Sequence, residues 1–149
     1  MRPPSILAAV ILWAALSQIA VADERPSGIP DEAKCVKVDR ITDGDTIVLM
    51  DSTRVRLHGI DTPERDQPYG SEATAALEYM VEASVYIVKV DTDRHGRTVG
   101  QLYHSTEGYD INASMVCAGH AWWYERYAPD NELLESCQEE AQDAPKGLW

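Results

Sequence analysis

Cys35-Val36-Lys37-Val38-Asp39-Arg40-Ile41, then Asp43-Gly44, then Thr46-Ile47-Val48-Leu49-Met50, then Asp51-Ser52, then Arg54-Val55-Arg56-Leu57-His58, is the stretch that decides the fold. Val36 and Val38 alternate with Lys37 and Asp39, the period-two pattern of a half-buried strand. Asp43-Gly44 is a strong turn signal, and Asp51-Ser52 makes a second turn. Three consecutive strands joined in this way form a meander.

Working outward, Gly59 to Pro68 reads as a loop, because Pro63 and Pro68 exclude a helix interior. Glu72 to Ala83 carries Ala73, Ala76, Leu77 and Met80 at helical spacing. Val85 to Val90 is β-branched and strand-like, and Thr98 to His104 returns as its partner after a turn over Asp91 to Gly96. Asp110 is a candidate cap for a helix from Ile111 to Ala118, which Gly119 ends. Asn131 is a candidate cap for a last helix to about Gln142. Five short strands, with a helix inserted after the third, suit a small OB-type barrel. The expected class is therefore α+β, mainly β: a five-stranded OB-type barrel with three helices.

The first 22 residues do not belong to that domain. Ile6 to Ala22 is apolar and small, and Ala20-Val21-Ala22 fits a cleavage site ahead of Asp23. This reads as a secretory signal peptide over 1–22. The competing reading is an uncleaved membrane anchor, for which the apolar core is short. Residues 23–34, with Pro26, Gly28 and Pro30, read as a flexible leader, so the folded domain is expected over 35–149. After cleavage no membrane partner is expected, and the chain is expected to be a monomer in the periplasm or outside the cell.

The 149 residues carry a formal charge of −12. Losing 1–22 removes only Arg2, which leaves 12 basic residues against 25 acidic ones, or −13. That sign opposes nucleic-acid binding by the whole surface. The distribution does not: Arg54, Arg56, Arg65, Arg94, Arg97 and Arg126 fall in or beside the turn motifs, while the acidic surplus collects in the last segment. There are three cysteines, Cys35, Cys117 and Cys137. No C-x-x-C spacing is present, so a zinc ribbon is excluded. In an oxidising compartment one disulfide and one free thiol is the natural count. Cys117–Cys137 is the favoured pair of the three possible, because both fall on predicted helices.

Three runs carry charge at turns or strand ends: Asp43-Gly44-Asp45-Thr46, Arg56 through Glu64, and Asp93-Arg94-His95-Gly96-Arg97. Each alone reads equally well as a plain hairpin turn or a solvated strand end. Together they supply oxygen donors of the kind a hard cation selects, and guanidinium forks that suit phosphate.

On these residues, and on Tyr69-Gly70, Ile111-Asn112 and the terminal Gly147-Leu148-Trp149, the chain resembles the thermonuclease family, typified by staphylococcal nuclease, from about Cys35 to Trp149. The resemblance implies Ca²⁺-dependent hydrolysis of DNA and RNA, leaving 3′-phosphate and 5′-hydroxyl ends. It implies that Asp45 and Asp61 hold Ca²⁺, with Thr62 adding its backbone carbonyl. Glu64 matches the residue beside the attacking water, and Arg56 and Arg97 match the phosphate-clamping pair. His95 stands where the best-known member has a nucleotide-contacting tyrosine, and Tyr127 matches a second aromatic position. The rival reading is a noncatalytic OB-type module that binds nucleic acid or protein. Such a module would be expected to lose Asp45, Arg56, Glu64 or Arg97, and all four are present.

Overall fold

The computed structural model describes residues 25–149. The signal-peptide reading of 1–22 lies outside the described residues. Seven strands and three helices follow in order: β1 (Lys34–Asp43), β2 (Thr46–Leu49), β3 (Arg54–Leu57), β4 (Ile60–Asp61), α1 (Gly70–Met80), β5 (Ser84–Thr92), β6 (Thr98–His104), α2 (Ile111–Cys117), β7 (Trp122–Trp123) and α3 (Glu132–Asp143).

Five strands close into a barrel in the order β1-β2-β3-β6-β5, with β5 returning to β1. All pairs are antiparallel except β3 with β6, which run parallel. Ile47, Val55, Leu57, Val85 and Leu102 fill the interior and are fully buried or nearly so. α2 closes one end through Asn112. Its amide donates to the carbonyls of His58 (3.0 Å) and Gly100 (3.1 Å), and its oxygen accepts from Leu102 N at 3.1 Å. A fully buried side chain thus satisfies backbone groups where β3 and β6 separate.

Four details differ from the expectation. The leader is not loose over 25–33: Ile29 and Ala33 are buried, and Arg25 lies over the Tyr86 ring while donating to three carbonyls of the segment. α1 stops at Met80, not Ala83, because Val81 turns to an extended conformation and Ala83 O accepts from Val38 N at 3.0 Å. β5 continues to Thr92 through a bulge between Lys89 and Asp91. The short pair β4 and β7 was not anticipated at all. Among the described residues no helix is long and apolar enough to cross a membrane.

Cys117 and Cys137 form a disulfide, with Cα atoms 4.2 Å apart, joining the end of α2 to α3. Cys35 is free and exposed.

Candidate active site

The tight turn between β1 and β2 carries Asp45 into a buried position. Gly44 makes this approach possible: a Cβ there would lie 2.8 Å from Ala73 Cβ and 2.9 Å from Thr62 Oγ1. Asp45 Oδ2 accepts from Thr62 N and Thr62 Oγ1, each at 3.0 Å, and Oδ1 accepts from Thr46 Oγ1 at 3.0 Å. The β2–β3 register sets Arg56 opposite Thr46, beside Asp45. Arg56 Nη1 meets Asp45 Oδ2, and Nη2 donates to Asp61 Oδ1 at 2.7 Å and to Ile60 O at 3.3 Å. β4 pairs Asp61 with Trp122 of β7, which holds the second carboxylate at the rim. Asp45, Arg56, Asp61 and Thr62, read from separate runs, therefore meet in one cluster.

Next to it opens a cleft of about 600 Å³. Arg56, His95, Arg97 and Tyr127 all line it. Arg97 is aimed by Asp93: its Nε donates to Asp93 Oδ2 at 2.7 Å. The other oxygen, Asp93 Oδ1, accepts from His95 N and Arg97 N, each at 2.9 Å, and so shapes the turn that Gly96 completes at φ +78°. Burial pushes the Asp93 carboxyl up, but the Arg97 side-chain bond, the two backbone bonds and the Arg97 charge outweigh it, so it stays below its ordinary value.

Glu64 is not drawn into the cluster. Its backbone N–H donates to Gln67 Oε1 at 2.8 Å, its carbonyl accepts from Gln67 N at 2.9 Å, and its side chain is exposed. Among the described residues no three acidic, histidine or cysteine side chains converge as a metal site. The loop is fixed from below by Gly70, where a Cβ would sit 1.8 Å from Glu64 O.

A family profile described as Staphylococcal nuclease homologue matches residues 54–149. This chain belongs to the staphylococcal nuclease family. It is 42% identical over 117 residues to an uncharacterized endonuclease of Escherichia coli O157:H7, covering 76% of this chain and 75% of that protein. It is 37% identical over 125 residues to a micrococcal nuclease of Shigella flexneri, covering 76% and 72%. With protein ParB of Escherichia coli it shares 42% over 126 residues, covering 76% and 71%.

Within this member of the staphylococcal nuclease family, the cluster's chemistry suits a hard cation. Its donors are oxygens, and a positive group, the Arg56 guanidinium, already touches both carboxylates, so they face a common point.

Three cleft residues were missed or set aside by the reading of the sequence. Tyr124 lines the cleft and meets Tyr127 edge-on at 4.8 Å, held by its N–H to Gly59 O at 2.8 Å. The aromatic cluster ahead of α3, Trp122-Trp123-Tyr124 with Tyr127, was the available signal. Its two tryptophans pair with β4 instead. His58 lines the cleft as well, its pKa lowered by burial against the opposing pull of Asp91. Asp93 is the third. The expected basic patch is also smaller than the sequence suggests. Arg54, Arg65 and Arg126 do not line the cleft, and Arg65 turns away to Thr42 O at 3.1 Å and Glu78 at 3.6 Å.

Proposed function

We propose that the protein is an exported, Ca²⁺-dependent nuclease that hydrolyses phosphodiester bonds of DNA and RNA to 3′-phosphate and 5′-hydroxyl ends. The observation that carries this reading is Arg56: one guanidinium contacts the Asp45–Asp61 carboxylate pair and also lines the cleft that holds Arg97. A carboxylate pair and two arginines therefore share a wall. Export is supported by the apolar segment before Asp23 and by the Cys117–Cys137 bridge, which suits an oxidising compartment.

Asp45, Asp61 and the Thr62 carbonyl would hold Ca²⁺. When bound, the ion supplies positive charge to a phosphate oxygen and orients substrate. The chain's own residues do the rest. The exposed Glu64 carboxylate accepts a proton from a water that attacks phosphorus. The P–O5′ bond breaks, and the departing 5′-oxygen takes its proton from solvent. Arg56 and Arg97 donate to the phosphoryl oxygens as charge builds on them, and Asp93 keeps Arg97 at that task without reorganisation. Tyr124 and Tyr127 offer ring faces at the cleft wall on which a base can stack.

Purified residues 23–149 should cut plasmid DNA and RNA in Ca²⁺ and stop in chelator. Glu64→Gln should lower kcat by about 10²–10⁴. Binding of nucleic acid without cleavage in Ca²⁺ would instead support a noncatalytic module, and full activity of Glu64→Gln would remove that residue from the mechanism.

A further inference from the structure

Arg56 is tied to the carboxylates it would have to leave. Nη1 is buried and meets Asp45 Oδ2. Nη2 is spent on Asp61 Oδ1 and Ile60 O. The same Asp45 oxygen also accepts two bonds from Thr62, so it is already crowded with donors. Through these oxygens Asp45 and Asp61 cannot serve Arg56 and a divalent ion at full strength together. Like charges a few ångströms apart in a partly buried site repel strongly. A guanidinium that lines a cleft holding a second arginine has another partner available there in a phosphate oxygen.

We propose that Arg56 is an internal counter-cation: it competes with the divalent ion for Asp45 and Asp61, and its transfer to a bound phosphate couples ion binding to phosphate binding. The inference rests on the metal reading above. Exchange starts at Asp61, whose side chain is 47% exposed, and not at Asp45, which is 8% exposed. Linkage makes the coupling reciprocal: a phosphate that draws Arg56 away tightens the ion, and the ion tightens the phosphate by the same factor. Arg97 does not share this role, because its charge is committed to Asp93.

Calcium affinity, measured by titration calorimetry on residues 23–149 with and without uridine 5′-monophosphate, tests this without reference to cleavage. In the unaltered chain the nucleotide should tighten Ca²⁺ binding. Arg56→Gln should bind Ca²⁺ roughly tenfold tighter than the unaltered chain, about 1.4 kcal/mol, and the nucleotide should no longer help. Arg56→Lys should fall between, since a point charge cannot bridge two carboxylates as a planar fork does. It also serves if Arg56→Gln fails to fold, with the rise in Tm on adding Ca²⁺ as the readout. Equal affinity in the unaltered chain and both Arg56 variants overturns the inference and leaves the metal reading standing. An equal gain in Arg97→Gln reduces the effect to long-range charge and overturns it too. No calcium binding in any of these chains sinks the metal reading, and the inference with it.

Discussion

Removing the disulfide should soften the whole C-terminal half without dismantling the site at room temperature. Cys117 and Cys137 are 20 residues apart, and a closed loop of that size withholds about 3 kcal/mol of chain entropy from the unfolded state. A domain of this size loses about 4 °C of Tm per kcal/mol, so the double variant Cys117→Ala/Cys137→Ala should melt about 12 °C lower. Alanine is chosen because Cys137 is buried and a serine hydroxyl there would add its own cost. The bridge also sits beside a relay to the site. Gln138 Oε1 accepts from Trp123 N at 3.0 Å, Leu134 packs under Gly59, and β7 pairs with β4, which bears Asp61. These contacts do not need the sulfur link, so activity at 25 °C should stay close to that of the oxidised chain while heat inactivation moves down with the melt. Circular dichroism melts of the two chains, with cleavage assayed at 25 °C and after brief heating, separate the effects. A Tm shift under about 3 °C would refute the loop-entropy estimate. Loss of activity at 25 °C in a chain that is still folded would refute the claim that β7 is held without the bridge.

Asp93→Asn keeps an oxygen for the two backbone N–H groups but gives up the charge that aims Arg97. It should lower kcat by about 10- to 100-fold with the melt nearly unchanged. Steady-state kinetics on a short oligonucleotide checks this, and an effect confined to KM would count against Asp93 as a positioning residue. Asp110 makes a pH prediction. Burial pushes its carboxyl above the ordinary 3.8, against the opposing bonds from Ala113 N, Gln101 and Asn112 N. The folded chain holds that proton more tightly than the unfolded one, so this contribution is full below pH 3.8 and is lost as pH rises through the raised folded value. Asp110→Asn, which can still cap α2, should therefore be at least as stable as the parent at pH 7, whereas Asp110→Ala should lose about 1 kcal/mol of capping. Urea unfolding of all three chains at pH 4 and pH 7 decides it; equal destabilisation of both variants at pH 7 would show that the charge itself is needed.

The barrel strands were legible because each announces itself locally. β1, β2 and β3 carry alternation or β-branched runs between Asp-Gly and Asp-Ser turns, and α2 and α3 open on Asp110 and Asn131, whose side chains do accept from Ala113 N and Leu134 N. What escaped is non-local. β4 and β7 are two residues each, too short to show a period, and exist only because the chain returns to pair them. The site divides the same way. The co-location of Asp45 and Arg56 follows from the β2–β3 register, which the turn chemistry sets, whereas Asp61 is placed by the non-local β4–β7 pairing. Asp93 was quoted as part of a turn but given no job, since nothing in a turn sequence says whether its carboxylate caps backbone or aims an arginine; it does both. His58 reaches the cleft at the end of β3, where the strand pattern gives no sign that a wall lies open.

The acidic balance of the chain takes on a definite meaning at this site. Cluster and cleft together hold Asp45, Asp61, Asp91 and Asp93 against Arg56, Arg94 and Arg97, one negative charge in excess. A phosphodiester approaching that set meets no net attraction, and the chain's overall charge of −12 repels it at long range. One divalent ion on Asp45 and Asp61 would turn the local excess to one positive charge. On the metal reading, the sign change, not merely the added contact, would make substrate binding conditional on the ion. A basic body would attract nucleic acid whether or not the ion were present. Here attraction and catalysis would be switched by the same event, and Arg56, shared between carboxylates and cleft, is the residue through which that switch would act.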